Sequence, residues 1–232
     1  MKFFYRSLLP ITLLTGLSLF FVLDLDFYFT WTSISSSYSD FKVFQNEYFL
    51  VSLTLFSFLY FLSVSFSLPI VLILTIIGGA LFNFYAFFAC LFFGTLGCWV
   101  VFLASRGFLS EYFKRKVDPY IPSISSNFNK SPFTWLISLR LLPLLPIWLG
   151  NIVPGVLAMK TTPFIVATFL GLIPGTLIYI SFGSGIGRLL MQSEISNFSV
   201  FDYPDIYIPL IALFIISSFS FIIKFVRIKR NT

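Results

Sequence analysis

The chain has 232 residues, 58% hydrophobic and 10% charged, with 33 phenylalanines, a formal net charge of +6 and a mean hydropathy of +0.95. A soluble domain carries about 25% charged residues, so this composition cannot cover a water-facing surface, and it excludes soluble globular, disordered and disulfide-scaffold classes. A multi-pass, all-α membrane protein remains, and without a long polar stretch it forms one compact membrane domain.

The basic residues lie between apolar runs. The positive charge therefore reads as positive-inside topology and attraction to anionic lipid headgroups, with no nucleic acid expected as partner. Cys90 and Cys98 are the only cysteines and histidine is absent. Both thiols fall in an apolar segment at a spacing unlike a CxxC pair, so no metal or other cofactor is expected.

Lys2 and Arg6 precede an apolar run from Leu8 to Leu23, as at the start of a signal peptide. No small-x-small cleavage site follows, only Asp24 and Asp26, so the run reads as an uncleaved first membrane helix. A Ser-rich connector covers Thr32 to Glu47. With the preceding aspartates its charged residues are Asp24, Asp26, Asp40 and Glu47 against Lys42, a net of −3. Residues 1–47 thus form an N-terminal helix and polar connector.

From Tyr48 to Ser105 no residue is charged. A span takes about 20 apolar residues, so this run holds two or three passes. Phe49 to Phe66 reads as one span and is punctuated by Pro69, which has no N–H to continue a helix interior. Ile70 to Ile77 is an apolar half-segment ending at Gly78-Gly79. Leu81 to Ala104 is a full span in which Gly94 and Gly97 allow close helix approach. The stretch from Gly78 to Asn83 has two readings. It is either the tip of a re-entrant hairpin near 69–82, its amides open to an anionic group, or a tight turn between two spans.

Between Arg106 and Lys130 the chain is polar. Phe108, Leu109, Tyr112 and Phe113 recur at helical spacing opposite Glu111, Lys114, Arg115 and Lys116, which predicts a short interfacial amphipathic helix ended by Pro119 and Pro122. Pro132 to Met159 is apolar but interrupted by Arg140, Pro143, Pro146, Gly150, Asn151, Pro154 and Gly155. A span from Pro163 to Gly187 follows, and a last one from Ile206 to Ile223 is closed by Lys224, Arg227, Lys229 and Arg230. The membrane domain thus occupies 48–190, and 191–232 supplies an outer loop, the last helix and a basic tail.

Lys/Arg bias places the 106–130 loop and the tail in the cytoplasm and the 188–205 loop outside. Pro132–Met159 must then enter and leave on one side, as a re-entrant hairpin of two half-helices of about 18 Å each. A cytoplasmic N-terminus requires an odd number of crossings between Tyr48 and Ser105, whereas a re-entrant 69–82 leaves two. The sequence alone leaves that parity open.

Arg140 is the most informative position. A charge inside an apolar segment costs about 2.5–3.5 kcal/mol on insertion scales. Its surroundings are Arg140-x2-Pro143-x2-Pro146-x4-Asn151-x2-Pro154-Gly155, and irregular backbone at membrane depth belongs in protein or a water-filled cavity. A guanidinium there suits a phosphate, held by two parallel hydrogen bonds. The competing reading is an arginine that snorkels to the surface and anchors the hairpin. Gly171 to Thr176 and Gly183-x3-Gly187 match small-xxx-small patterns and read first as helix packing. Gly183-Ser-Gly185-Ile-Gly187 lacks the βαβ context of a dinucleotide fingerprint. No serine has a visible base partner and no span holds a carboxylate. An enzyme is therefore not expected, and neither is a simple proton-driven pump.

The order Gly78-Gly79-Ala80-Leu81-Phe82, Gly94-x2-Gly97, Arg106-Gly107, the Arg140–Gly155 segment and Phe169-x-Gly171-x2-Pro174-Gly175-Thr176-x2-Tyr179-x3-Gly183 resembles the VTT-domain family of the DedA superfamily, the SNARE-associated Golgi proteins. The resemblance covers roughly residues 50–190, and the combined arginine-proline and Pro-Gly-Thr blocks make it fairly specific. It implies two facing re-entrant hairpins and lipid translocation, as scrambling of phospholipids or flipping of polyprenyl-phosphate carriers. By motif position it assigns substrate binding to Arg140, Pro143, Pro146, Asn151 and Gly155 in the second hairpin, to Gly78 and Gly79 in the first, and to Pro174, Gly175 and Thr176. Asn83 stands where the family usually has glycine, and the acidic residues of the DedA branch near the first hairpin are missing. These departures place the chain nearer the Golgi-protein branch and argue against proton coupling.

The expectation is a lipid transporter of a bacterial inner membrane whose partners are lipids with anionic phosphate headgroups; a homo-oligomer is compatible with it. A non-transporting scaffold that recruits partners or anionic lipid through its basic segments is the alternative. A solute or ion channel fits less well, because aromatic and aliphatic residues dominate every span.

Overall fold

A computed structural model describes residues 31–106, 131–141 and 149–191, together with Phe128 and scattered positions within 12–23 and 204–212. The amphipathic segment 108–116, the prolines Pro143 and Pro146, and most of the last predicted span lie outside the described residues. Among the described residues the secondary structure is helical, with no strand. The elements are α1 (Trp31–Glu47), α2 (Phe49–Ser65), α3 (Val71–Phe82), α4 (Phe84–Arg106), α5 (Pro132–Leu141), α6 (Leu149–Val156) and α7 (Thr161–Met191).

Helix α2 is apolar on nearly every side, and its polar and apolar faces are the reverse of a water-soluble helix. Ser52, Ser57, Ser63 and Ser65 are buried, whereas Leu50, Val51, Leu55, Phe58 and Leu59 are exposed. Ser57 and Ser63 donate to the carbonyls of Leu53 and Leu59 one turn back, so neither hydroxyl needs water. The Tyr60 and Thr75 hydroxyls meet across α2 and α3 at 3.1 Å. Helix α4 likewise turns Phe84, Tyr85, Phe88 and Phe92 outward. An apolar exterior of this extent belongs in lipid. With 23 and 31 residues, α4 and α7 are about 34 Å and 46 Å long. Both are long and apolar enough to cross a membrane.

The helices stop for local reasons. At the end of α2, Ser67 takes a left-handed φ of 54°, while Leu68 N donates to Ser63 O and Ser67 N to Val64 O. That pair of bonds closes the last carbonyls in a Schellman motif, and Pro69 follows. The end of α6 repeats the motif at Ala158, φ 55°, with Met159 N on Pro154 O and Ala158 N on Gly155 O.

Two expectations change here. The half-segment read as ending at Gly78-Gly79 continues to Phe82, and the chain turns instead at Asn83, φ 52°. The turn thus falls at the end of the Gly78–Asn83 stretch and not at the glycine pair. The pair lies inside α3 and is buried. The reason is tertiary. A Cβ on Gly79 would collide with the Ile180 carbonyl, and one on Gly183 with the Ile76 carbonyl. Ser184 adds a hydrogen bond of 3.0 Å to Gly79 O. The packing role read for Gly183-x3-Gly187 is what the structure displays, because Gly187 also lies tight against Ala80. Helix α7 is the organising element, packed against α3, α4 and α5, while α2 and α6 pack against α4.

Candidate functional site

Arg140 stands in the last turn of α5, where the partial negative charge of the helix C-terminus favours a cation. It follows an apolar stretch whose Leu136 is fully buried. Gly171 of α7 leaves room for its stem, since a Cβ there would come 2.6 Å from the Arg140 Cβ. The guanidinium then reaches toward the first turn of α6, where a Cβ on Gly150 would come 3.3 Å from its Cζ.

Nη2 of Arg140 donates to Asn151 Oδ1 at 2.5 Å. It lies 3.4 Å from both the Gly150 carbonyl and Thr168 Oγ1. Asn151 is 1% exposed, and Thr168 and Cys98 are also buried. The Cys98 thiol of α4 lies beside the guanidinium and the Asn151 amide. One cation is thus met by side chains from α4, α6 and α7. None of these partners is charged, and the apolar runs 48–105 and 132–191 contain no Asp or Glu. The N-terminus of α6 adds partial positive charge at the same place.

The sequence-derived site residues distribute unevenly around this cluster. Arg140 and Asn151 come together directly. Gly155 does not join them; it sits at the crossing of α4 and α6, where a Cβ would collide with Ser105 Oγ. Pro174, Gly175 and Thr176 lie about 9 to 12 Å beyond Thr168 along α7. Thr176 is buried, and Gly175 faces open space with nothing within 4 Å of a Cβ built on it. Gly79 is further away, packed against Ile180, about 18 Å beyond Thr168 along α7, and Gly78 packs against Phe56 and Ala86. Pro143 and Pro146 lie outside the described residues.

Sequence reasoning missed Thr168 and Cys98. A signal for Thr168 was present, because it precedes Gly171 by three residues and so shares its helix face. Cys98 carried no such mark, since its partners come from helices distant in sequence.

The family profile of the VTT domain matches residues 68–185, just over half of the chain. A Transmembrane protein 41 homolog of Caenorhabditis elegans is 32% identical over 130 residues, which is 54% of this chain and 52% of the relative. The Dictyostelium discoideum homolog is 28% identical over 169 residues, 71% of this chain and 48% of its own length. Uncharacterized protein YqeD of Bacillus subtilis is 26% identical over 131 residues, 56% of this chain and 60% of its own. The chain spans about half the length of the curated relatives it matches. No solved structure matches it.

Proposed function

The chain belongs to the VTT-domain family of membrane proteins, and from that premise we propose that it moves lipid headgroups across the bilayer, with Arg140 receiving the anionic phosphate. The observation that carries this reading is the Arg140 cluster: a guanidinium held by Asn151 and flanked by Thr168 and Cys98, in apolar runs that hold no carboxylate. A guanidinium suits a phosphate, which it can hold by two parallel hydrogen bonds.

Helix lengths support the same reading. With 12, 10 and 8 residues, α3, α5 and α6 extend about 18, 15 and 12 Å, well short of a hydrocarbon core of about 30 Å. In this proposal α5 and α6 are the limbs of one re-entrant hairpin, near 132–159, and α3 is a limb of the other, near 69–82, with its tip at Asn83; the two enter from opposite faces and meet along α7. The hydrophobic layer between them is thin. A headgroup crosses it beside Arg140 while the acyl chains stay in the bilayer. No covalent bond is made or broken, so the assigned activity is transport and not enzymatic chemistry.

Purified protein reconstituted into liposomes with headgroup-labelled phospholipid or polyprenyl phosphate tests the proposal. Wild type is expected to move at least one of these several-fold faster than protein-free vesicles. Movement no faster than in protein-free vesicles for both lipids would sink it. Were movement lost on neutralising Lys114, Arg115 and Lys116 and untouched by Arg140→Ala, a scaffold working through its basic segment would take its place.

A further inference from the structure

Apart from the Arg140 cluster the molecule carries a second cavity, between α1, α2 and α3, of about 400 Å³. Its walls are apolar along most of their extent: Phe41, Leu55, Phe56, Leu59, Leu74 and Ile77 line it. Phe41, Leu55 and Leu59 are also exposed on the outer surface. The groove therefore opens sideways, onto the face that α2 presents to lipid.

Its α1 margin is polar. Gln45 lines the groove and is 6% exposed. Gln45 Oε1 accepts a hydrogen bond of 2.8 Å from Lys42 Nζ, which also donates to Leu81 O at 2.8 Å. The Gln45 amide nitrogen makes no hydrogen bond among the described residues. An ammonium has three donors, and these two contacts occupy two of them. Lys42 is the one Lys or Arg between residues 7 and 105. Lys42 is not itself a wall of the groove but is bonded to two residues that are, Gln45 and Leu81, whereas the carboxylates of α1, Asp40 and Glu47, are exposed and outside the lining. An apolar slot open to lipid, with a lysine and an amide donor at one margin, has the shape and charge of an amphiphile of opposite sign.

We propose that this groove holds one acyl chain of an anionic glycerophospholipid, whose phosphate sits at Lys42 and Gln45. It is a resident lipid and not cargo. The site is built largely from α1 and α2, residues 31–65, which precede the span matched by the family profile. Occupancy does not pass through Arg140, so it stands or falls separately from transport.

Native mass spectrometry of the full chain in detergent provides the test, with phosphatidylglycerol and phosphatidylcholine of identical acyl chains as probes. Wild type is expected to retain one phosphatidylglycerol per chain. It should prefer this lipid to phosphatidylcholine by about fivefold, the selectivity expected of one lysine near an anionic headgroup. Lys42→Gln should erase the preference. Leu55→Trp and Leu59→Trp, at partly exposed positions where a larger ring can be accommodated, should each lower retention of both lipids at least several-fold. If Lys42→Gln keeps the preference, if neither tryptophan lowers retention, or if wild type retains no lipid, the site is refuted. A groove covered by a second copy in a lipid-free dimer would refute it equally.

Discussion

The Arg140 guanidinium is met from other helices: Asn151 Oδ1 of α6 accepts a hydrogen bond from it, Thr168 of α7 lies 3.4 Å away and the Cys98 thiol of α4 lies beside it. The three are not equivalent. The bond to Asn151 is short, whereas the 3.4 Å approach to Thr168 lies outside the usual range for a hydrogen bond. A hydrogen bond to a charged group contributes about 1.5–3 kcal/mol. Asn151→Ala is therefore expected to lower stability by about that amount, and Thr168→Val by less than about 1 kcal/mol. Thermal unfolding in one detergent compares them, and equal losses would mean that Asn151 does not hold the guanidinium. Arg140 and Asn151 were legible in the sequence because a charge and an amide among prolines stand out in an apolar run. Thr168 and Cys98 were not, because their part depends on how α4 and α7 lie against α5.

At the scale of elements, the crossing of α3 and α7 sets the relation between the two halves of the family motif. Gly79 and Gly183 meet backbone carbonyls with no space for a methyl group, while Gly175, on the same helix as Gly183, has open space. Gly183→Ala should therefore destabilise by about 1–3 kcal/mol through overpacking. Gly175→Ala should be neutral or stabilise by up to about 1 kcal/mol, since alanine favours the helix. Chemical denaturation of both variants measures the contrast, and a Gly183→Ala protein as stable as wild type would mean the helices are not held by close approach. That α2, α4 and α7 are helices followed from apolar runs and their punctuation, although α4 starts at Phe84 and not at Leu81, and α7 extends beyond Pro163–Gly187 at both ends. The continuation of α3 through Gly78-Gly79 did not, because a glycine pair alone signals a turn and the contact that keeps it helical lies at Ile180, about a hundred residues along the chain.

For the whole molecule, scarce charge excluded a water-facing surface, and the structure turns that scarcity into an arrangement. Among the described residues Ser57, Ser63, Thr75 and Thr95 are buried and donate to backbone carbonyls one turn back, phenylalanines and leucines of α2 and α4 such as Leu55, Phe58, Phe88 and Phe92 face outward, and a cationic cluster lies inside. Helix α7 runs past both motif regions, with Gly171 at the Arg140 stem and Gly183 at α3. The proposed transport of a lipid phosphate rests on the guanidinium of that cluster. The most direct measurement is lipid movement in liposomes by Arg140→Ala, with retained fold checked by its unfolding profile and with solute leakage followed in the same vesicles. The account predicts at least a tenfold fall in lipid movement, partial recovery in Arg140→Lys, and no change in leakage. A folded Arg140→Ala protein that moves lipid at the wild-type rate would contradict it.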